Sequence, residues 1–221
     1  MDRKFYKKII LIFIFTAAFA YVESAVVIYL RQIYYPQGFH FPIKKHVDLL
    51  LYIEVIREFA TLVIMVSIGA LLSKKFWEGF GYFLVIFGTW DIFFYIWLKA
   101  AINWPTSIVE PDILFLIPVP WIAPVLAPVL VSLVMIGIGI DITGIFDKGY
   151  NVKPHLIHWI IVLLGSIFIL YSFMCDTNAM FYEKYPLPYK WGSLIAGLML
   201  YLIAHIILRN KNVRSRPNNV E

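Results

Sequence analysis

The sequence predicts an all-α integral membrane protein, a six-transmembrane-helix bundle whose fourth segment is broken by proline. Hydrophobic residues make up 61% of the chain against 15% charged, with a mean hydropathy of +0.78, far from the composition of a soluble domain. The 221 residues hold six apolar runs, each near the ~20 residues a helix needs to cross a bilayer, and leave no room for a sizeable soluble domain. Prolines at 118, 120, 124 and 128 interrupt the fourth run.

The first run, Ile9 to Leu30, follows the basic stretch MDRKFYKK and carries Glu23 in its second half. Ala18-Phe19-Ala20 has the small-x-small form of a signal-peptide cleavage site, but apolar residues continue through Leu30, so the expectation is a first transmembrane helix. Arg31 to Val47 reads as a loop, since Pro36, Gly38 and Pro42 break helix and the aromatic residues among them suit a membrane interface. The second span, Leu49 to Leu72, is apolar apart from Glu54, Arg57 and Glu58. Three isolated charges at mid-membrane cost on the order of 9 kcal/mol, so this helix needs partners. The third span runs from Gly79 or Phe80 to Ala101, with Asp91 in its middle and Lys99 near its end.

The fourth run, Ile113 to Ile140, is expected to be non-helical around Pro118 and Pro120 and helical from near Pro120, because proline in a helix interior costs ~3 kcal/mol. Asp112 to Ile117 must then lie on the membrane or dip into it, which irregular backbone tolerates only against protein or a wet cavity. Asp141 to Pro154 reads as a polar loop, His155 to Met174 as the fifth span, Cys175 to Lys190 as a loop and Trp191 to Leu208 as the sixth span. Residues 1–208 thus form a single transmembrane helical domain, and 209–221 a basic, disordered cytoplasmic tail.

Lysine and arginine set the orientation. With both termini cytoplasmic, twelve of them fall in inner segments, among them Arg3, Lys4, Lys74, Lys75, Lys148 and Arg209, against Arg31, Lys44, Lys45, Lys184 and Lys190 outside. The expectation is a multi-pass protein of the cell membrane with both termini inside. The formal net charge of +5 reflects these topology signals, so the lipid bilayer is the expected partner and nucleic acid is not. One cysteine, Cys175, leaves no internal disulfide and no CxxC metal motif.

The candidate site is a buried carboxylate and arginine cluster in the outer half of the bilayer. It comprises Glu23, Glu54, Arg57, Glu58 and Asp91, with Tyr95 and Lys99 following Asp91 at i+4 and i+8 on one helix face. Glu54 and Arg57, three apart, can bond along their helix. Four carboxylates against two cations leave an excess of negative charge that low dielectric does not tolerate, so protons or a cation must neutralise it. Glu23, Glu54, Glu58 and Asp91 could supply the oxygen ligands of a divalent metal such as Mg²⁺, Mn²⁺ or iron. A weaker group, His155 and His158 with His205 and Asp141, offers ligand types for zinc or iron at the other face, although interfacial histidines are common.

Three function classes follow. The first is a membrane-embedded metal- or acid/base-dependent enzyme acting on a lipid-soluble substrate, with Arg57 binding an anionic group. The second is a proton-coupled carrier using the same acids as a relay. The third is a structural or assembly protein whose ion pairs only fix packing. The sequence carries no P-loop, no GxGxxG and no G-x-S-x-G, so nucleotide and serine-hydrolase readings have no support. Glycine pairs 137/139 and 192/197 are expected to let helices pack closely.

Overall fold

Apolar runs with no internal proline become long helices, and proline-rich stretches do not. The computed structural model describes residues 3–44 and 46–214. Arg3–Tyr34 is one continuous helix, α1, and Leu49–Leu71 forms α2, opened by Asp48, whose side chain accepts the Leu51 N–H at 3.1 Å. Phe76–Ile102 is α3, closed by Asn103 in the left-handed conformation at φ 55°. Two short strands, β1 (Pro111–Ile113) and β2 (Ile122–Pro124), precede α4 (Leu126–Asp147), and α5 (Leu156–Met174), the single turn α6 (Asn178–Phe181) and α7 (Trp191–Arg214) complete the chain.

The fourth run departs from expectation. Residues from Glu110 to Leu126 fold as an antiparallel hairpin in which Asp112 faces Ala123 and Ile113 faces Ile122. Bonds within it satisfy part of its backbone: Leu114 N–H donates to Trp121 O, Trp121 N–H to Phe115 O and Val125 N–H to Glu110 O, at 2.7–3.0 Å. The helix therefore starts at Leu126 rather than near Pro120, with Pro128 in its first turn, where a missing N–H costs nothing. It also runs to Asp147, so Asp141 is a helical residue and not the start of a loop. Likewise α7 continues beyond Leu208 to Arg214, into the expected tail, and residues 215–221 of that tail lie outside the described residues.

Among the described residues five helices, α1, α3, α4, α5 (with the turn after it) and α7, are long and apolar enough to cross a membrane. At about 34 Å, α2 is long enough as well, but every 18-residue stretch of it contains Glu54, Arg57 and Glu58. Its outward face is apolar, with Ile53, Ile56, Phe59, Val63 and Val66 exposed, while Glu58, Thr61 and Met65 are buried.

Helix α3 is the hub, packing against α4, α1 and α2, whereas α5 packs against α7; α4 touches α7 only lightly, and β2 bridges α4 and α5. The α3–α4 contact is backbone-close: a Cβ on Gly139 would lie 2.5 Å from the Gly81 carbonyl oxygen. Gly197 meets the Gly165 carbonyl on α5 in the same way, at 2.7 Å. Gly137 and Gly192, expected to act alike, face open space. The hairpin caps one end of the bundle at the seam between the two helix groups. Glu58 on α2 accepts the Leu116 N–H at 2.9 Å, and Thr177, ahead of α6, donates to Pro120 O at 3.0 Å. At the opposite end Lys8 donates to Leu72 O and Lys75 to Asn151.

Candidate functional site

The charges of α2 turn inward because they share the helix face that carries the buried Thr61 and Met65, while the opposite face is apolar and exposed. Arg57 forks onto Glu54, Nε to Oε2 at 2.8 Å and Nη2 to Oε1 at 2.6 Å, the i, i+3 geometry that the spacing allows. Its Nη1 reaches across to α1, pairing with Glu23, and Thr61 lies 3.4 Å from both Arg57 and Glu23. One guanidinium thereby ties two helices through two carboxylates.

A second pair stands nearer the hairpin. Arg31, in the last turn of α1, binds Asp112 of β1 at 2.8 Å, and Tyr95 of α3 donates to the other Asp112 oxygen at 3.3 Å. The guanidinium lies over the Trp104 ring at 3.8 Å and the Phe39 ring at 4.2 Å, a cation held between two aromatic faces. Asp112 is 1% exposed; burial pushes its carboxyl up from its usual range, and Arg31 pulls it back. Burial acts the same way on Glu110, but bonds from Thr106 and the Trp104 indole hold it below its usual value.

The remaining two acids have no cation on them. Glu58, buried, accepts Leu116 N–H. Asp91, also buried on α3, accepts the Ser132 hydroxyl of α4 at 2.8 Å. Between them is a small polar cavity of about 60 Å³, lined among others by Glu23, Arg57, Glu58, Trp90 and Asp91. On the other side of Asp91 a cleft of about 280 Å³ opens at the seam between α3–α4 and α5–α7, walled by Phe83, Phe87, Phe115, Trp121, Met135 and Phe173. Asp91, Leu114 and Phe115 line both spaces. The cleft is apolar except for Asp91 with Ser132 and the Ser166–Tyr201 hydroxyl pair at 2.8 Å, and Trp121 on its wall carries an indole N–H. That N–H is buried without a hydrogen-bond partner among the described residues. An orphaned donor in an apolar wall is a position for an acceptor atom of a ligand.

The structure thus joins Glu23, Glu54 and Arg57 directly, places Glu58 and Asp91 on the wall of the same small cavity, and connects Tyr95 through Asp112 instead of Asp91. Lys99 leaves the set: in the last turn of α3 its flexible stem carries the ammonium back to Pro105 O at 2.9 Å and Asn103 O at 3.4 Å. His155 and His158 cap α5, His158 Nδ1 accepting the His155 N–H at 2.9 Å, while His205 pairs with Asp141 at 3.0 Å. The metal reading meets no suitable constellation. Among the described residues no three His, Cys, Asp or Glu side chains are grouped to hold an ion. The carboxylates face one another through Arg57 or are separated by the cavity.

Sequence reasoning missed Arg31, Asp112, Ser132 and Trp121. The lysine and arginine count treats Arg31 as a topology charge, yet Glu23, Val27 and Arg31 share one face of α1 at i, i+4, i+8, the signal the sequence offers for it. Comparison with known proteins adds no assignment: no family model matches the chain, and no curated protein or solved structure is significantly similar to it.

Proposed function

We propose that the chain is a six-span membrane protein that acts by acid–base chemistry on a lipid-soluble substrate held in the lateral cleft. In this reading α2 also spans and raises the five to six, its charges facing the interior; the hairpin end is the outer face, and both termini are cytoplasmic, as the lysine and arginine bias favours. The observation that carries the reading is the shared wall at Asp91: one side of it borders an apolar cleft at the bilayer-facing seam, the other a polar cavity with Glu58. An apolar body with one polar end fits that cleft, its polar end directed at Asp91, Ser132 and the Trp121 N–H. Five carboxyls against two guanidiniums leave the buried set formally negative, which supports proton uptake among Glu58 and Asp91 over a permanently ionised array. Arg57 serves a different purpose here, because its bonds to Glu54, Glu23 and Thr61 favour a packing role over anion binding.

The test is lipid retention. The protein is purified in mild detergent and its co-extracted small molecules are identified by native mass spectrometry. The wild type is expected to retain one lipid-soluble species near one per chain, and Asp91→Asn and Trp121→Phe to lose it at least tenfold without loss of folding. Retention that is absent from the wild type, or equal in all three proteins, would overturn the proposal.

A further inference from the structure

We infer that water reaches Asp91 from the outer face through a path that passes Glu58, so that Asp91 stands where an aqueous route and a lipid route meet. The inference deepens the reading of Asp91 as an acid–base group and names its second reactant: water, or a proton carried by it. A groove of about 110 Å³ lies at the hairpin end, with Tyr34 and His46 at its mouth. Its inner wall is also the wall of the small polar cavity, since Val27, Arg31, Glu54, Glu58 and Ile113 line both. That cavity in turn ends on Asp91. The two spaces adjoin at Glu58, which lines both, so only side chains separate the groove from the cavity that ends on Asp91.

Orphaned polar atoms mark the same route independently. Nε2 of His46 in the groove, Nη1 of Arg31 on the shared wall and Nε1 of Trp90 in the cavity are each buried with no hydrogen-bond partner among the described residues. An unsatisfied buried group costs about 1–3 kcal/mol, so small side-chain movements that admit water to these three atoms would be favoured. A polar cavity of this size has room for at least two waters at ~30 Å³ each, and such a cavity fills where an apolar one stays dry. Around Glu58 the charged and titratable neighbours are Glu54 and Arg57 on its own helix, Glu23 and Arg31 on α1, Asp91 and Tyr95 on α3, and Asp112 on the hairpin. In the carboxyl-lined passage the Glu58 carboxylate takes a proton from outer water and passes it to the Asp91 carboxylate, which becomes neutral while Glu58 returns to its ionised form.

Hydroxyl-radical footprinting after rapid mixing with ¹⁸O-labelled water tests this on the full chain in lipid nanodiscs. Trp90, which borders the small cavity and not the lipid cleft, is expected to acquire ¹⁸O on the millisecond mixing time, as Tyr34 does at the mouth. Val27→Phe, which narrows the shared wall, is expected to slow labelling of Trp90 at least tenfold and leave Tyr34 unchanged. If that variant fails to fold, Glu58→Leu serves in its place, removing the polar waypoint with the same expected result. A Trp90 that stays unlabelled in the wild type, or that labels equally fast in the folded variant, overturns the path. Retained lipid with an unlabelled Trp90 defeats this inference alone; labelled Trp90 with no retained lipid defeats the cleft reading alone.

Discussion

Arg57 illustrates how a buried charge is tolerated: five donors in a planar fork, three acceptor side chains, two helices. Removing it leaves Glu23 and Glu54 facing each other without a cation. Arg57→Ala should therefore lower stability by about 3–5 kcal/mol, read from thermal denaturation in detergent, and adding Glu23→Ala should recover part of that loss. Strict additivity of the two substitutions would contradict the pairing. Arg31 is held differently, by Asp112 and by the faces of Trp104 and Phe39. A lysine keeps the charge but cannot lie flat between two rings, so Arg31→Lys should still cost about 1–2 kcal/mol, and an unchanged melting temperature would show the stacking to be incidental. The Glu54–Arg57 pair was legible in the sequence because both partners sit on one helix at a spacing whose geometry is fixed. The Arg31–Asp112 pair was not, since a partner 81 residues away depends on how the hairpin docks, which no local pattern records.

At the scale of elements, the lesson lies in the proline-rich stretch and in the glycines. Prolines at 118 and 120 told that helix would be interrupted there, but not that Pro111 and Pro124 would sit opposite each other in a hairpin. That outcome depends on cross-strand bonds and on the docking of Leu116 and Pro120 to other helices. Glycine spacing was equally ambiguous: within one span, Gly139 lies against α3 and Gly137 against nothing. The two positions make a matched test. Gly139→Ala must push two backbones apart and should cost about 1–3 kcal/mol, whereas Gly137→Ala should be neutral or stabilise by up to about 1 kcal/mol. Equal effects from the two, measured by thermal denaturation, would place the α3–α4 contact elsewhere.

For the whole molecule, the proposed six-span reading puts the loop at Gln37 and the loop at Asn151 on opposite sides of the membrane. In a Cys175→Ser background, a thiol at Gln37 should react with an impermeant reagent in intact cells, and a thiol at Asn151 only after lysis; the reverse pattern would invert the topology. The long apolar helices were legible in the sequence, because a run of about 20 apolar residues without an internal proline reads directly as a helix long enough to cross a membrane. The division into α1–α4 and α5–α7, and hence the cleft between them, was not, because side chains that face lipid and side chains that face a cleft are equally apolar. The central claim is that this seam holds a lipid-soluble molecule with its polar end at Asp91. A high-resolution density map of the wild-type protein in nanodiscs of native lipid tests it most directly. The account predicts elongated density in the seam, its polar end within hydrogen-bonding distance of Asp91, Ser132 or the Trp121 N–H. A seam closed by Phe87, Phe115 and Phe173 in mutual contact, with α5 and α7 drawn onto α3, would contradict it.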